Sequence, residues 1–286
     1  MTFAFIRDHR HEFPVQLMCD VLDVSSSGYY LWDGRPPSKR EQRHQELVEK
    51  ITRTYEENRR VYGSPRVHQA LLRQGEKVSL NTVASTMKTR KLAAISHKRF
   101  RVRTTDSAHS NPVAPNTLAQ NFEAAGINEK WATDMTYIQT GEGTLYLAGV
   151  IDLCSRRIIG WSMSDSMETT VASDALAMAA LTRQPPEGLL HHSDRGVQYT
   201  SREYRAKLEA MGAECSMSRT GNCYDNAMTE SFWGTLKTEM VYHQEFKTHE
   251  EAKAAIFDYI EIFYNRKRLH SSLNYMSPEE FEATLK

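Results

Sequence analysis

Three carboxylates in this chain stand in company that ordinary surface acids do not keep. Asp134 lies inside Trp131-Ala-Thr-Asp-Met-Thr-Tyr-Ile138, and Asp194 closes Leu189-Leu-His-His-Ser-Asp194 just before Arg195-Gly196. Both sit in or at the end of short apolar runs that read as buried strands. A carboxylate buried there is costly unless it is paired or binds a metal. After thirty-five intervening residues comes Glu230, within Asn222–Lys237. That stretch reads as a helix, because Ala227, Phe232 or Trp233, and Leu236 recur at helical spacing and no proline interrupts. Asn226, Glu230, Trp233 and Lys237 fall at i−4, i, i+3 and i+7 and share one face of it.

The order Asp, Asp, 35 residues, Glu resembles the catalytic core of DDE transposases and retroviral integrases. The flanking words are more specific. His192-Ser-Asp-Arg-Gly-Val-Gln-Tyr199, the Asn222–Glu230 segment and Arg268-Leu-His-Ser-Ser-Leu-Asn-Tyr-Met-Ser-Pro278 together resemble the second-frame transposases of the bacterial insertion-sequence family three. The likeness runs over nearly the whole chain. It implies a ribonuclease H-like α/β core, a five-stranded mixed sheet with flanking helices, preceded by small all-α helix-turn-helix domains. In that core the first and fourth strands are neighbours, so Asp134 and Asp194 meet, and a late helix brings Glu230 to them.

The implied chemistry explains the convergence. Phosphodiester cleavage needs an activated water or 3′-hydroxyl and a stabilised leaving oxygen, and a pair of Mg²⁺ ions supplies both. Mg²⁺ prefers hard oxygen ligands and keeps several waters, so few carboxylates suffice. The expectation is that Asp134 bridges two ions, that Asp194 and Glu230 hold one each, and that Mn²⁺ can substitute. The implied activity is cutting and joining at the terminal inverted repeats of the protein's own mobile element. Double-stranded DNA, both element ends and target, is the expected partner, bound by a homo-oligomer in the bacterial cytoplasm at the nucleoid. Lys237 matches a basic position seven residues after the glutamate, where the family contacts terminal DNA. A protein from the upstream frame, often fused by ribosomal frameshifting, would carry a further helix-turn-helix and a leucine zipper, and no sustained heptad occurs here. Two other classes stay open: a DNA-binding regulator without catalysis, and a metal-dependent nuclease without joining.

Composition frames the elements that must position these residues. Hydrophobic residues make up 40% and charged residues 25%, which fits a globular protein. No apolar run is long enough to span a membrane, and the early charges exclude a secretory signal. Four scattered cysteines without a C-x-x-C pair argue against zinc. The formal net charge is zero, but it is unevenly spread. Residues 1–110 hold 20 Lys and Arg against 12 Asp and Glu, leaving 16 against 24 for the remainder. A basic front half suits nucleic acid and an acidic back half suits metal.

The expected organisation is a short helical, helix-turn-helix-like segment at 1–35, a helix-turn-helix DNA-binding domain at 39–100, a linker at 101–128, the catalytic core at 129–240 and a C-terminal helical extension at 241–286. In the first, Pro14–Leu22 and Gly28–Trp32 read as two helices, the second capped by Ser25 or Ser26. In the second, 39–58 reads as a helix with Leu47, Ile51, Thr54 and Tyr55 on one face. Ser64 and Pro65 then read as N-cap and N1 of the next helix, Arg66 to Gln74, Gly75 ends it, and Ser79 caps Leu80–Lys91. Val83 and Met87 would face inward there. Asn81, Thr82, Ser85, Lys88 and Arg90 would face out, the right types for base edges and phosphates. Arg66, and Arg101 in the basic run Lys98–Arg103, are further candidates for phosphate contact.

Within the core, strands are expected at Trp131–Thr140, Leu145–Leu153, Arg157–Met163, Gly188–Ser193 and Ala213–Met217, with helices at Thr169–Arg183 and Ser201–Met211. His191 and His192 are adjacent on a strand and point to opposite faces, so they do not serve one ion together. Asp152 ends a strand as a turn residue or a metal neighbour. Asn222, Asp225 and Asn226 cap the helix or position the loop or DNA. Ser193 lacks a triad context. Thr248 starts a helix to about Asn265 whose buried aromatic face packs on the core or on another subunit. The basic cluster Asn265–His270 binds phosphate or ends that helix, and Ser277 caps a final helix.

Overall fold

The computed structural model describes residues 2–95, 112–219 and 223–285. Three short helices open the chain: α1 (Thr2–His9), α2 (Val15–Val21) and α3 (Ser26–Asp33). Ile6, Met18, Cys19 and Tyr29 are their shared core. α1 was not legible in the sequence, because it has no acidic first turn and buries only Ile6. Ser25 caps α3, its Oγ accepting from the Gly28 N–H at 3.3 Å.

α4 (Lys39–Glu57) begins with a capping box. The Ser38 Oγ accepts from the Glu41 N–H, and the Glu41 carboxylate accepts from the Ser38 N–H. α5 (Ser64–Arg73) starts after Gly63, one residue earlier than expected, with Ser64 and Pro65 both in its first turn and no side-chain cap. α6 (Leu80–Thr89) is capped by Ser79, whose Oγ accepts from the Thr82 N–H at 3.2 Å. Ile51, Tyr55, Val67, Leu71, Val83 and Met87 interlock at the centre of this unit.

The strands are β1 (Lys130–Thr140), β2 (Gly143–Asp152), β3 (Ile158–Ser164), β4 (Leu190–Ser193) and β5 (Glu214–Met217). They lie in the order β3-β2-β1-β4-β5. β1, β2 and β3 form an antiparallel meander, and β4 and β5 add in parallel beside β1. Between them run α7 (Thr169–Arg183), the one-turn α8 (Val197–Thr200) and α9 (Arg202–Ala210), which Ser201 caps. This is the ribonuclease H-like order that the motifs implied. No helix among the described residues is long and apolar enough to cross a membrane.

Each face of the sheet carries its own core. Trp131, Ala148, Val150 and Ile159 pack under α7 and α9. Ala132, Leu145, Leu147 and Ile151 pack under α10 (Ala227–Glu239). Gly160 makes the first packing possible. A Cβ there would lie 2.1 Å from the Ala175 carbonyl oxygen and 2.8 Å from the Ala179 Cβ, so α7 rests directly on strand backbone.

α10 begins later than its sequence suggests. Cys223–Asn226 form a 3₁₀ turn, and α-helical geometry starts at Ala227. The Asp225 carboxylate is committed elsewhere, as described below, and holds this turn off the helix axis. α11 (His249–Phe257), capped by Thr248, passes into a π-helix over Asp258–Tyr264 in place of a continuous α-helix to Asn265. Tyr259, Ile260, Phe263 and Tyr264 are all buried against the same cluster as α10 and the helix-turn-helix unit. α12 (Pro278–Thr284) closes the chain with the Ser277–Glu280 capping box. Its Glu282 reaches back under the sheet. It accepts from Arg157 at 2.9 Å and from the Ser155 Oγ at 2.7 Å, and it also pairs with Arg183.

Gly160→Ala is expected to lower the urea midpoint by a loss of about 1–3 kcal/mol, the overpacking range, and Gly160→Val by more. An unchanged midpoint for both would show that α7 can lift off β3.

Candidate active site

The pairing of β1 with β4 sets the site. Lys130 faces Leu190, Trp131 faces His191 and Ala132 faces His192. β4 ends at Ser193 and leads directly into Asp194, which lines one cleft with Asp134 and whose charge acts on it. Asp194 is fixed by the Gly196 N–H, which donates to its Oδ1 at 2.8 Å. Across the antiparallel pair, Asp134 faces Gly149. Trp233 of α10 lies over that glycine, and a Cβ on Gly149 would fall 2.8 Å from its ring. This contact seats α10 on the sheet with Glu230 exposed in its first turn.

The carboxylates feel one another. Burial, then the charge of Asp194, holds the Asp134 carboxyl well above the usual carboxylate range, and Glu230 adds to this. The Met135 N–H, 2.8 Å from Oδ1, opposes the shift. The Trp233 indole faces the same carboxylate and likewise acts against the shift. A cleft of about 570 Å³ opens beside Asp134 and Asp194, walled by Tyr137, Tyr146, Tyr199 and the start of α7 at Thr169.

Lys237 belongs to this region. Its Nζ stands 4.8 Å over the Tyr137 ring. Burial lowers its pKa, and the nearby Asp134 charge opposes that shift. Asn226 lies against β1, its Nδ2 donating to the Thr133 carbonyl at 3.5 Å, while its buried Oδ1 has no partner.

Asp225 is a tether. It accepts from the Arg219 N–H and guanidinium, from Asn116 and from Gln120, all at 2.9–3.2 Å. Burial acts to raise its pKa, but the Arg219 and Gln120 hydrogen bonds hold it at about 2. It pins the approach to α10 onto the segment before β1.

The histidines are built into the core. His192 is held between the Ser216 and Ser218 hydroxyls at 2.9 and 3.0 Å, and burial lowers its pKa to about 4. His191 meets the Tyr204 hydroxyl at 3.1 Å, and burial lowers it to about 3. Asp152 accepts from the Asn128, Cys154 and Ser155 N–H groups, which makes it the organiser of the turn after β2. The Ser193 Oγ donates to the Asp194 carbonyl.

Asn81, Thr82, Ser85, Lys88 and Arg90 are exposed together on and just beyond α6. Arg66 does not join them. It points to the core, 3.8 Å from Glu239 and 5.8 Å from the Tyr62 ring. Arg268, read from sequence within a basic cluster, is likewise turned inward and pairs with Glu239 at 2.6 Å. Arg101 and the rest of Lys98–Arg103, and Asn222, lie outside the described residues. The Gly149–Trp233 contact was missed in the sequence, although a glycine inside an otherwise branched strand signals a close approach.

Among the described residues, no three His, Cys, Asp or Glu side chains already stand together as a metal cage. The set still fits a hard divalent cation. It offers only carboxylate oxygens, their mutual repulsion is what a cation relieves, and an open set suits an ion that keeps its waters.

Residues 124–223 and 230–285 each match a family described as Integrase core domain, and residues 42–100 match an HTH-like domain. The chain is 43% identical to the transposase InsF for insertion sequence IS3A of Escherichia coli (strain K12), over 99% of this chain and 98% of that protein. It is 44% identical to an Insertion element IS600 uncharacterized 31 kDa protein of Shigella sonnei, over 92% and 97%. Among solved structures, a simian T-cell lymphotropic virus intasome aligns at 14% identity and TM-score 0.47, over 75% of this chain and 69% of that one. The HTLV-2 integrase catalytic core domain in complex with magnesium aligns at 14% and 0.44, over 56% and 99%.

The raised proton affinity of Asp134 has a sign. Below the unfolded-state value of about 3.9 the acid is protonated in both states and costs nothing. Above it the unfolded chain ionises first, so the ionised group destabilises the fold as pH rises. Asp134→Asn is therefore expected to raise the melting temperature by a few degrees in metal-free buffer near neutral pH, the gap closing below about pH 4. A lower melting temperature at neutral pH would contradict the crowding of these acids.

Proposed function

The chain belongs to the transposases of the IS3 insertion-sequence family, and on that premise we propose that Asp134, Asp194 and Glu230 hold the divalent cations with which it cuts and joins DNA, while α6 meets the element's ends. The observation that supports this most directly is the cleft that Asp134 and Asp194 line together, with the charges of Asp194 and Glu230 both acting on the Asp134 carboxyl. Two Mg²⁺ ions, replaceable by Mn²⁺, are the proposed complement. When bound they activate a water or 3′-hydroxyl and stabilise the leaving oxygen.

The chain's own residues do the rest. Asp194 is held for its task by the Gly196 N–H. Glu230 is carried on a helix that Trp233 seats against Gly149, so its position follows the sheet. Lys237 offers a cation on the Asp134 side of the site, suited to a phosphate next to the scissile bond. Asn226 presents an unsatisfied carbonyl oxygen at the base of the same helix. No covalent protein–DNA bond is required.

The proposed division of labour follows the chain. Residues 39–100 recognise the terminal inverted repeats, residues 129–240 carry the chemistry, and 241–286 support both. The protein works as an oligomer that brings two ends and a target together in the bacterial cytoplasm, and an upstream-frame partner contributes the dimerising zipper.

Strand transfer on labelled element-end DNA with Mg²⁺ tests the site. Asp134→Asn, Asp194→Asn and Glu230→Gln are each expected to lower cleavage and joining more than about 100-fold, at least about 2.7 kcal/mol in barrier, while end binding persists. A variant that retained joining would remove that residue from the set. Cleavage without joining by the parent would mark a nuclease.

Salt titrations test α6. Lys88→Ala and Arg90→Ala should each weaken binding across all sequences and reduce the salt slope by about 1. Asn81→Ala should cost about 1–3 kcal/mol on the element end alone. Unchanged affinities would place the DNA on another face.

A further inference from the structure

The word Arg268–Pro278 plays no part in the carboxylate site, yet it is bound to the helix that carries Glu230. Glu239 lies nine residues beyond Glu230 on α10, about 14 Å along the axis. Its buried carboxylate is gripped at both oxygens by Arg268, with Nε at 2.8 Å and Nη2 at 2.6 Å. The Tyr259 hydroxyl donates to the same group at 2.7 Å. From the helix-turn-helix unit, the Arg66 guanidinium approaches to 3.8 Å. The Tyr62 hydroxyl donates to the Lys267 carbonyl at 3.1 Å and accepts from the Leu269 N–H at 2.7 Å, so it straddles Arg268 on both sides. Tyr264 packs edge-on against Phe232 of α10 and against His270. Three parts of the chain, remote in sequence, thus converge on one carboxylate.

A buried ion pair is a weak source of stability, since well-packed apolar residues in its place are often neutral or better. What a bidentate guanidinium–carboxylate pair adds is geometry, because two parallel hydrogen bonds fix relative orientation. We propose that Glu239, Arg268 and Tyr62 are positioning residues that lock the helix-turn-helix unit to α10. The distance from the bases read at α6 to the phosphodiester presented at Glu230 is then set by protein and not by the DNA between them. This rests on the reading that α6 recognises the element end.

The experiment uses the full chain on end DNA carrying one to four base pairs inserted between the recognised sequence and the cleavage point. The parent is expected to cut at one fixed distance from the recognised sequence, following it as the insert grows. Two variants release the lock. Tyr62→Phe removes both of the hydroxyl's hydrogen bonds. The double variant Glu239→Leu/Arg268→Met keeps an apolar filling, so that either variant tests the lock if the other is unfolded. Both should bind ends within about twofold of the parent, cut roughly tenfold more slowly at saturating DNA, and spread their cuts over neighbouring positions. Arg268→Lys, which keeps charge but loses the fork, should behave like the double variant. Folded variants that cut at the parent's single position and rate would overturn the proposal. A parent with no preference for element ends would instead strike at the end-recognition reading, whatever the cut positions.

Discussion

Like charges that a fold holds together against their repulsion must be supported by everything around them. Here the strain is concentrated at Asp134, whose carboxyl is crowded by burial, by Asp194 and by Glu230. The answer lies in backbone-level packing. α7 lies directly on β3 because position 160 has no side chain, and α10 lies on β2 because position 149 has none. At both positions an added Cβ would overlap the helix, so each helix sits on strand backbone.

The sequence revealed the site's elements more readily than their joints. The apolar runs around Asp134 and Asp194 read as strands because a buried parallel pair needs continuous hydrophobicity, and the helix over Thr169–Arg183 was legible to the residue. Local signals also found the caps at Ser25, Ser79, Ser201, Thr248 and Ser277, since each depends on residues within one turn. What stayed hidden depends on distant partners. The delayed start of α10 follows from Asp225, whose ligands Asn116 and Gln120 lie more than a hundred residues away. The inward turn of Arg66 and Arg268 follows from Glu239, and nothing near either arginine announces it. The π-helical stretch over Asp258–Tyr264 likewise has no local signature.

That last group changes how the chain is divided. Composition suggested a basic recognition unit followed by an acidic catalytic one, joined by a linker. In the structure the apolar residues of the helix-turn-helix unit, α10 and the C-terminal aromatics form one continuous cluster. Arg59 reaches Asp258 and Arg73 reaches Glu280 across the same boundary. The segment after Glu230 is the material that joins the front of the chain to its middle.

Glu282 gives this arrangement a dimension in time. Its carboxylate receives Arg157 from just before β3, Ser155 from the β2–β3 turn and Arg183 from the end of α7. A chain growing on the ribosome makes those three donors about a hundred residues before their acceptor emerges. Until then the two arginines and the turn that carries Ser155 stand without it. The order of synthesis therefore places every strand of the sheet before the carboxylate that ties its β2–β3 turn to the end of α7.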